Sequence, residues 1–194
     1  MRHRRRGRKL GRNPSHQRAL RRFLASALFL TERDAEFDEN KPAVKGRIIT
    51  TIAKAKEVRP LVEKCITIAC RGLAAEEAAG KFAASAERGT DAYNTWRKSD
   101  RWSEWNAAIA PAVAARRRCL RLLGNKQAVS VLFAEVAPRF LDRPGGYTRI
   151  LRLAKPRLGD AGTRAILEFT GIRDRAVEKS VRPTFEEPAT AAAE

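Results

Sequence analysis

The sequence predicts an α/β protein in which a small mixed sheet of about three strands is packed by helices. Three observations predict this class. Apolar residues recur at helical spacing in several stretches, a β-branched run covers residues 47–52, and two later apolar runs flank a glycine-containing turn. With 194 residues, 43% of them hydrophobic, the chain is long enough for one globular domain, which we predict at residues 15–175.

The first element is a basic N-terminal arm at residues 1–14, which has many closely spaced cations and little to bury. Residues 1–31 carry 10 basic and no acidic side chains. A helix follows, with Ser15 as its predicted N-cap and with a cationic face formed by Arg18, Arg21 and Arg22. Its predicted core face comprises Leu20, Phe23, Leu24, Ala27 and Leu28.

An acidic stretch follows this helix, and its alternating carboxylates invite comparison with a calcium-binding loop. In such a loop starting at Asp34, position six would be Glu39 instead of glycine, and position twelve would be Lys45 instead of glutamate. We therefore predict a solvated loop that binds no calcium.

A strand at Arg47–Ile52 leads into the second predicted helix, whose core face includes Val58 and Ile66. Lys54 and Lys56 crowd the beginning of this helix, where cations oppose the helix dipole and where a phosphate would compensate. Pro60 lies inside the helical pattern, which predicts a kink or a later start.

Residues 73–112 form a predicted helical insertion that is nearly neutral and contains every tryptophan of the chain. Tyr93, Trp96, Trp102 and Trp105 have two interpretations. Such aromatic rings can stack on nucleic-acid bases, or they can form a small satellite core or a protein contact, which the near-neutral charge favours.

The remaining elements alternate between basic helices and short strands. A helix carrying Arg116 and Arg117 ends at Gly124 as its C-cap, and the next helix is predicted to stop before Pro138. After the glycines at 145–146, strands are predicted at 147–155 and 164–170. The polar tail at 176–194 is predicted to be disordered.

The net charge of +18 predicts a polyanionic partner, because each neutralised phosphate releases counterions. The excess positive charge is confined to residues 1–31, 41–72 and 113–175. An anionic membrane surface is the alternative partner, and an acid-free, arginine-rich start is also typical of mitochondrial transit peptides, although serine is sparse here. Leu24–Leu30 is too short to span a bilayer.

The three cysteines, Cys65, Cys70 and Cys119, show neither CxxC spacing nor neighbouring histidines. This pattern predicts reduced thiols in the cytosol and argues against a zinc site.

Four stretches taken together resemble the bacterial large-subunit ribosomal protein seventeen family. They are "MRHRRRGRKLGRNPSHQRALRR" at 1–22, "ITTIAKAKEVR" at 49–59, "AVSVLFAEVAPRF" at 128–140 and "GGYTRI" at 145–150. The chain departs from the family pattern through insertions at about 34–45 and 73–112 and through the tail after Arg175. Phe23 also stands where the family has asparagine, and Pro60 where it has another residue.

The resemblance implies a structural component of the large ribosomal subunit that lies in the cytoplasm, on the ribosome. It implies direct binding to large-subunit ribosomal RNA near the polypeptide exit side, beside neighbouring large-subunit ribosomal proteins. The expected RNA contacts are Arg2, His3, Arg4, Arg5, Arg6, Arg8, Lys9, Arg12, Asn13, Ser15, His16, Arg18, Arg21, Arg22, Lys54, Lys56, Arg116, Arg117, Arg143, Tyr147 and Arg149. Tyr147 is open to a second interpretation as a core residue.

Two other classes of function would also explain the positive charge, but the sequence lacks the motifs of the first, and the second does not account for the four stretches. An RNA-processing enzyme needs converging carboxylates or a nucleotide-binding glycine motif, and the few acids of the basic segments offer neither. A general nucleoid-like protein that binds any nucleic acid would not need the specific stretches. We therefore expect no enzyme, no catalytic residues, no cofactor, no metal ion, no small-molecule substrate and no membrane partner.

Overall fold

The structure is a computed structural model that describes Arg8, Leu10, Gly11 and residues 13–171. Its helices are α1 (Pro14–Leu30), α2 (Ile52–Gly80), α3 (Asp91–Lys98), α4 (Asp100–Leu123) and α5 (Lys126–Val131). A π-helical turn (Leu132–Val136) and a 3₁₀ turn (Ala137–Phe140) continue from α5. The strands are β1 (Arg47–Thr51), β2 (Thr148–Arg152) and β3 (Arg164–Phe169). The predicted tail at 176–194 and most of the predicted arm lie outside the described residues.

Within the described residues, the three strands form one sheet in the order β1-β3-β2. Both pairings are antiparallel. Ile166 of the central strand β3 lies between Ile49 of β1 and Leu151 of β2. The α/β class with a three-stranded sheet is confirmed, but the sheet is antiparallel where a mixed one was expected. For β2 and β3, the physical reason is that the connection at residues 153–163 contains no helix to carry the chain across the sheet, so β3 returns antiparallel to β2.

One face of the sheet packs against α2, and the other side of α2 packs against α4. The shared core includes Val58, Ile66, Cys119, Leu132 and Leu167, all of which are fully buried or nearly so. Gly72 permits the close approach of α2 and α4, because a Cβ there would lie 2.9 Å from the Cβ of Ala115. The core therefore depends on α2 having contacts on two sides.

The core face of α1 differs from the predicted one. Ala25, Ser26, Leu28 and Phe29 are buried, whereas Phe23 is 73% exposed. The rotation has a tertiary cause: the Phe29 ring stacks on Phe169 with centroids 5.9 Å apart, and the Ser26 hydroxyl donates to the carbonyl of Leu123 at 3.4 Å. The prediction of Phe23 as a core residue is wrong.

Two proline-based predictions also need correction. A kink or a later start was predicted at Pro60. The later start is wrong, because α2 begins at Ile52 directly after β1 and runs through the exposed Pro60, and the kink stays a prediction. The helical segment does not stop before Pro138, because Pro138 occupies the first turn of the 3₁₀ segment, where the missing N–H has no intrahelical partner to lose. The predicted C-cap is confirmed: Gly124 has φ +75° and donates its N–H to Leu120 at 2.8 Å.

The aromatic residues of the insertion pack on one another. The Trp96 ring lies 5.5 Å from Tyr93 and 5.7 Å from Trp105, and its indole N–H donates to the carbonyl of Phe82 at 3.2 Å. These contacts join α3 to α4 and favour the satellite-core interpretation for Tyr93, Trp96 and Trp105, whose rings are half-buried.

The cysteines are free, and Cys65 and Cys119 are buried in the α2–α4 contact. A hydrogen bond with Cys119 and burial raise the pKa of the Cys65 thiol, and burial raises that of Cys70. Cys65 and Cys70 are therefore packing residues with little thiolate character.

Candidate nucleic-acid interface

The junction between the arm and α1 is fixed by a small set of hydrogen bonds. Asn13 is the N-cap, and its side-chain oxygen accepts from the backbone N–H of Ser15 at 2.8 Å. The predicted cap at Ser15 is therefore wrong by two residues, because Pro14 begins the helix at a position that suits its fixed φ. The Gln17 amide donates to the carbonyl of Gly11 at 2.7 Å, which directs the chain before α1.

The arm reaches the beginning of α2 at Glu57. The backbone N–H of Arg8 donates to Oε2 of Glu57 at 3.4 Å, and Nη1 of Arg21 lies 3.6 Å from its Oε1. One carboxylate thus joins the arm, α1 and α2 while cations surround it. Of the predicted contacts, Arg2, His3, Arg4, Arg5, Arg6, Lys9 and Arg12 lie outside the described residues.

The three predicted arginines of α1 have different surroundings. Arg18 is exposed and has no ion pair within the described part of the chain. Arg22 donates to the carbonyl of Arg121 at 3.1 Å, which uses one N–H and leaves the rest of the guanidinium accessible. The three arginines of α1 line an open groove between α1 and α2, together with Lys64 of α2. His16 and Ser15 are exposed at its arm end.

Lys54 and Lys56 lie in the first two turns of α2, as predicted, and no acidic residue occupies the first turn. Thr51 provides no side-chain cap, and the N–H of Ile52 donates to the carbonyl of Thr163 at 3.0 Å. The N–H groups that follow it in the first turn and the two ammonium groups give this end of α2 a positive charge. Lys56 also lines a second groove, together with Arg59, Arg149 and Arg152. Neither lysine has an ion-pair partner among residues 13–171.

The two predicted arginines of α4 separate into a structural one and an accessible one. Arg116 pairs with Glu76 at 2.9 Å, and its guanidinium carbon lies 4.4 Å from the centre of the Phe133 ring. Arg117 is exposed, and no described acid pairs with it. Arg116 as a phosphate contact stays a prediction: one of its nitrogens is engaged by Glu76, and its side chain is 43% exposed.

The residues predicted around the glycine turn have different surroundings: Arg143 is exposed, Arg149 is in an ion pair and Tyr147 is buried. Arg143 donates to the carbonyl of Gly145 at 3.2 Å, and Arg149 pairs with Glu168 at 2.6 Å. Tyr147 is 4% exposed, and its ring lies 5.2 Å from that of Phe140. The prediction of Tyr147 as an RNA contact is wrong, and its alternative interpretation as a core residue is correct, because the turn folds this ring inward under β2.

Sequence reasoning missed three exposed cations, two of which border these grooves while the third lies on α4. Lys64 lies on the face of α2 that meets α1, Arg152 extends the second groove, and Arg121 continues the exposed side of α4 from Arg117. Arg121 could have been predicted from the sequence, because it follows Arg117 by four residues and therefore lies on the same face of the helix. Nothing local to Lys64 indicates that α1 crosses beside it.

Among the described residues, no group of three or more histidine, cysteine, aspartate or glutamate side chains is placed to hold a metal ion. None of the described helices combines the length and the apolar character needed to cross a bilayer.

Comparison with known proteins places these features in a family. The family model described as ribosomal protein L17 matches residues 43–170. The large ribosomal subunit protein bL17 of Rhodopirellula baltica is 65% identical over 189 residues, which cover 97% of this chain and 90% of that protein. The bL17 protein of Nitratidesulfovibrio vulgaris is 36% identical over 88% of this chain and 88% of its own length. The bL17 protein of Lactobacillus helveticus is also 36% identical, over 84% of this chain and 97% of its own length.

The matched region contains the sheet, α2, α4 and the glycine turn, and the relatives extend the similarity over α1 as well. The chain belongs to the ribosomal protein L17 family.

Proposed function

We propose that this chain is a structural component of the large ribosomal subunit in the cytoplasm and that it binds ribosomal RNA. The observation that carries the proposal is a set of cations on α1 and α2 that have no acidic partner among the described residues, in a family member with a net charge of +18. They are Arg18, Lys54, Lys56 and Lys64, and the arm contacts α2 between them, at Glu57. Phosphates along two grooves would neutralise charges that no described acid balances.

The proposed binding has two parts with different physics. The arm and the α1–α2 groove supply point charges, whose contribution comes from counterion release and is lost at high salt. The beginning of α2 supplies oriented N–H groups beside Lys54 and Lys56, an arrangement that favours a phosphate at a defined position. The first part gives affinity, and the second fixes the orientation of the protein on the RNA.

We also propose a location near the polypeptide exit side, next to other ribosomal proteins. Its support is the resemblance of the four sequence stretches to the family.

The test is a salt titration of the full chain and of a variant that lacks residues 2–12. The truncation stops before Asn13, because that residue caps α1 and its loss would confuse binding with folding. The missing segment contains seven lysines and arginines, so the slope of log K against log salt for structured large-subunit RNA should fall by roughly 6. The circular dichroism spectrum and the urea midpoint should be unchanged.

Duplex DNA and anionic vesicles serve as the other two arms of the titration. Preferential binding to the structured RNA, together with co-sedimentation of the chain with large subunits after a high-salt wash, supports the proposal. Equal affinity for all three ligands contradicts it in favour of a general polyanion binder, and preferential binding to vesicles contradicts it in favour of a membrane surface.

A further inference from the structure

The outer face of the sheet, on the side away from α2, carries an apolar row across all three strands. Ile49, Ile166 and Leu151 are aligned by the strand register, and Ile49 and Leu151 are 55% and 43% exposed. Since neighbouring strands lie about 4.8 Å apart, the row is about 10 Å across. Side chains of the opposite face, including Leu167 and Ala165, are fully buried against the core.

Arginines bracket the apolar row at both ends. Arg47 lies at one end, in a register row that also contains Glu168 and Arg149, and Arg164 lies at the other end. Four residues of β3 separate the two register rows, a distance of about 13 Å along the strands. Glu168 is paired with Arg149, whereas Arg47 and Arg164 have no ion pair within the described residues.

We propose that this face binds an extended segment of a neighbouring large-subunit protein, in which apolar side chains lie between two carboxylates. The apolar residues would cover Ile49, Ile166 and Leu151, and the carboxylates would pair with Arg47 and Arg164. An aliphatic centre with a charged rim is the usual anatomy of a protein interface, and complementary rim charges fix the register of the partner. This inference rests on the proposed function, because it places the partner in the same ribosomal subunit.

RNA is a poorer occupant of this face for two reasons. Sheets that bind RNA do so through aromatic side chains that stack on bases, and this row contains only isoleucine and leucine. A phosphate backbone laid over the row would also lose water without gaining hydrogen bonds from the aliphatic side chains. The unpaired cations on α1 and α2 offer phosphates better partners.

The experiment places a photocrosslinking residue on the face of the full chain inside assembled large subunits. The variant Leu151→p-benzoylphenylalanine is compared with Leu158→p-benzoylphenylalanine, since Leu158 is 98% exposed on the β2–β3 turn and lies off the face. After a high-salt wash, irradiation and ribonuclease digestion, mass spectrometry identifies the attached segment. We expect position 151 to attach to a neighbouring protein segment that has apolar residues with an aspartate or glutamate within about four positions.

Charge reversal then tests the rim. Arg47→Glu with Arg164→Glu should lower the yield of this adduct about tenfold, because two partly exposed ion pairs contribute roughly 0.7 kcal/mol each. Lys155→Glu, at an exposed lysine on the turn, should leave the yield unchanged. If the double variant does not fold, Arg164→Glu alone retains the test, because Arg164 is distant from the buried Glu168.

Attachment of position 151 to RNA or to a second copy of this chain, an adduct yield no higher than at position 158, or a yield that charge reversal does not change would each overturn the inference. A chain that incorporates into subunits but gives one of these results leaves the proposed function intact. A chain that fails to incorporate contradicts the proposed function itself.

Discussion

Two sets of cations in this molecule have the same side-chain chemistry and different surroundings. Arg59, Arg116, Arg139 and Arg149 each pair with a glutamate at 2.6–3.0 Å. Arg18, Lys54, Lys56 and Lys64 have no acidic partner within the described part of the chain. Arg116, Arg139 and Arg149 connect different elements of the fold, and Arg59 pairs within α2. The second set is available to an external anion.

The net charge therefore indicates how strongly the protein attracts a polyanion only after the cations that are paired with its own acidic residues have been subtracted. Arg139 reaches from the 3₁₀ turn to Glu32 at the end of α1, and Arg149 covers a glutamate whose side chain is 4% exposed. A buried carboxylate without its partner is costly, whereas an exposed cation without one costs little. The two sets should therefore respond in opposite ways to substitution.

Among side-chain substitutions, the largest effect should come from removing three cations that have no acidic partner in the described part of the chain, as Arg18→Ala, Lys56→Ala and Lys64→Ala. Each cation that contacts a phosphate contributes about 0.9 to the salt slope, so the slope should fall by about 3 and the affinity at physiological salt by roughly 100-fold. The urea midpoint of the free protein should be unchanged. Filter binding to structured large-subunit RNA at several salt concentrations measures the slope.

The matched control removes three exposed cations from the insertion, as Lys81→Ala, Arg97→Ala and Lys98→Ala. The net charge changes equally, but these residues lie in a nearly neutral segment. A fall in slope as large as in the first variant would show that only total charge matters, and the distinction between the two sets would be lost.

A smaller effect is expected from Arg149→Ala, and it should appear in stability. Glu168 would remain buried with its closest partner missing, so the free energy of unfolding should fall by about 2–3 kcal/mol. Urea denaturation measures the change. Arg152→Ala, at an exposed residue of the same strand, should stay within about 0.5 kcal/mol of the parent.

The double variant Arg149→Ala with Glu168→Gln separates charge from packing. Part of the lost stability should return, because the glutamine carries no buried charge. A double variant that is less stable than Arg149→Ala by the full cost of a second independent substitution would argue against the pair as the source of the effect.

The sequence predicted those features that depend on neighbours along the chain. The Gly124 cap, the β-branched strand and the two strands after the glycine turn follow from local backbone preferences. The pairing of arginines could not be predicted this way, since Arg116 and Glu76 are separated by 40 residues and Arg139 and Glu32 by 107. Phe23 and Tyr147 show the same limit: one turned outward and the other inward because of contacts with distant elements.

The smallest effect on stability is expected at Arg157. This arginine is paired, like those of the first set, but its ion pair with Asp160 is exposed in the β2–β3 connection. Asp160 accepts from Nε of Arg157 at 2.9 Å and from the backbone N–H of Gly162 at 3.2 Å, and these bonds hold the pKa of its carboxyl below the usual range. A depressed carboxyl pKa stabilises the folded state above the unfolded value of about 3.9, and that contribution is lost as the pH falls through the folded pKa. Because both groups are exposed, Arg157→Ala should leave the urea midpoint at neutral pH unchanged.

The carboxyl group itself should report the loss of this pair. In a carbon-detected NMR titration, the midpoint of Asp160 should lie below the ordinary value in the parent and move upward in Arg157→Ala. An unchanged midpoint would mean that the pair does not persist in solution. A large loss of stability would mean that exposed and buried pairs contribute alike in this protein, and paired arginines could then not be graded by the burial of their glutamate or aspartate.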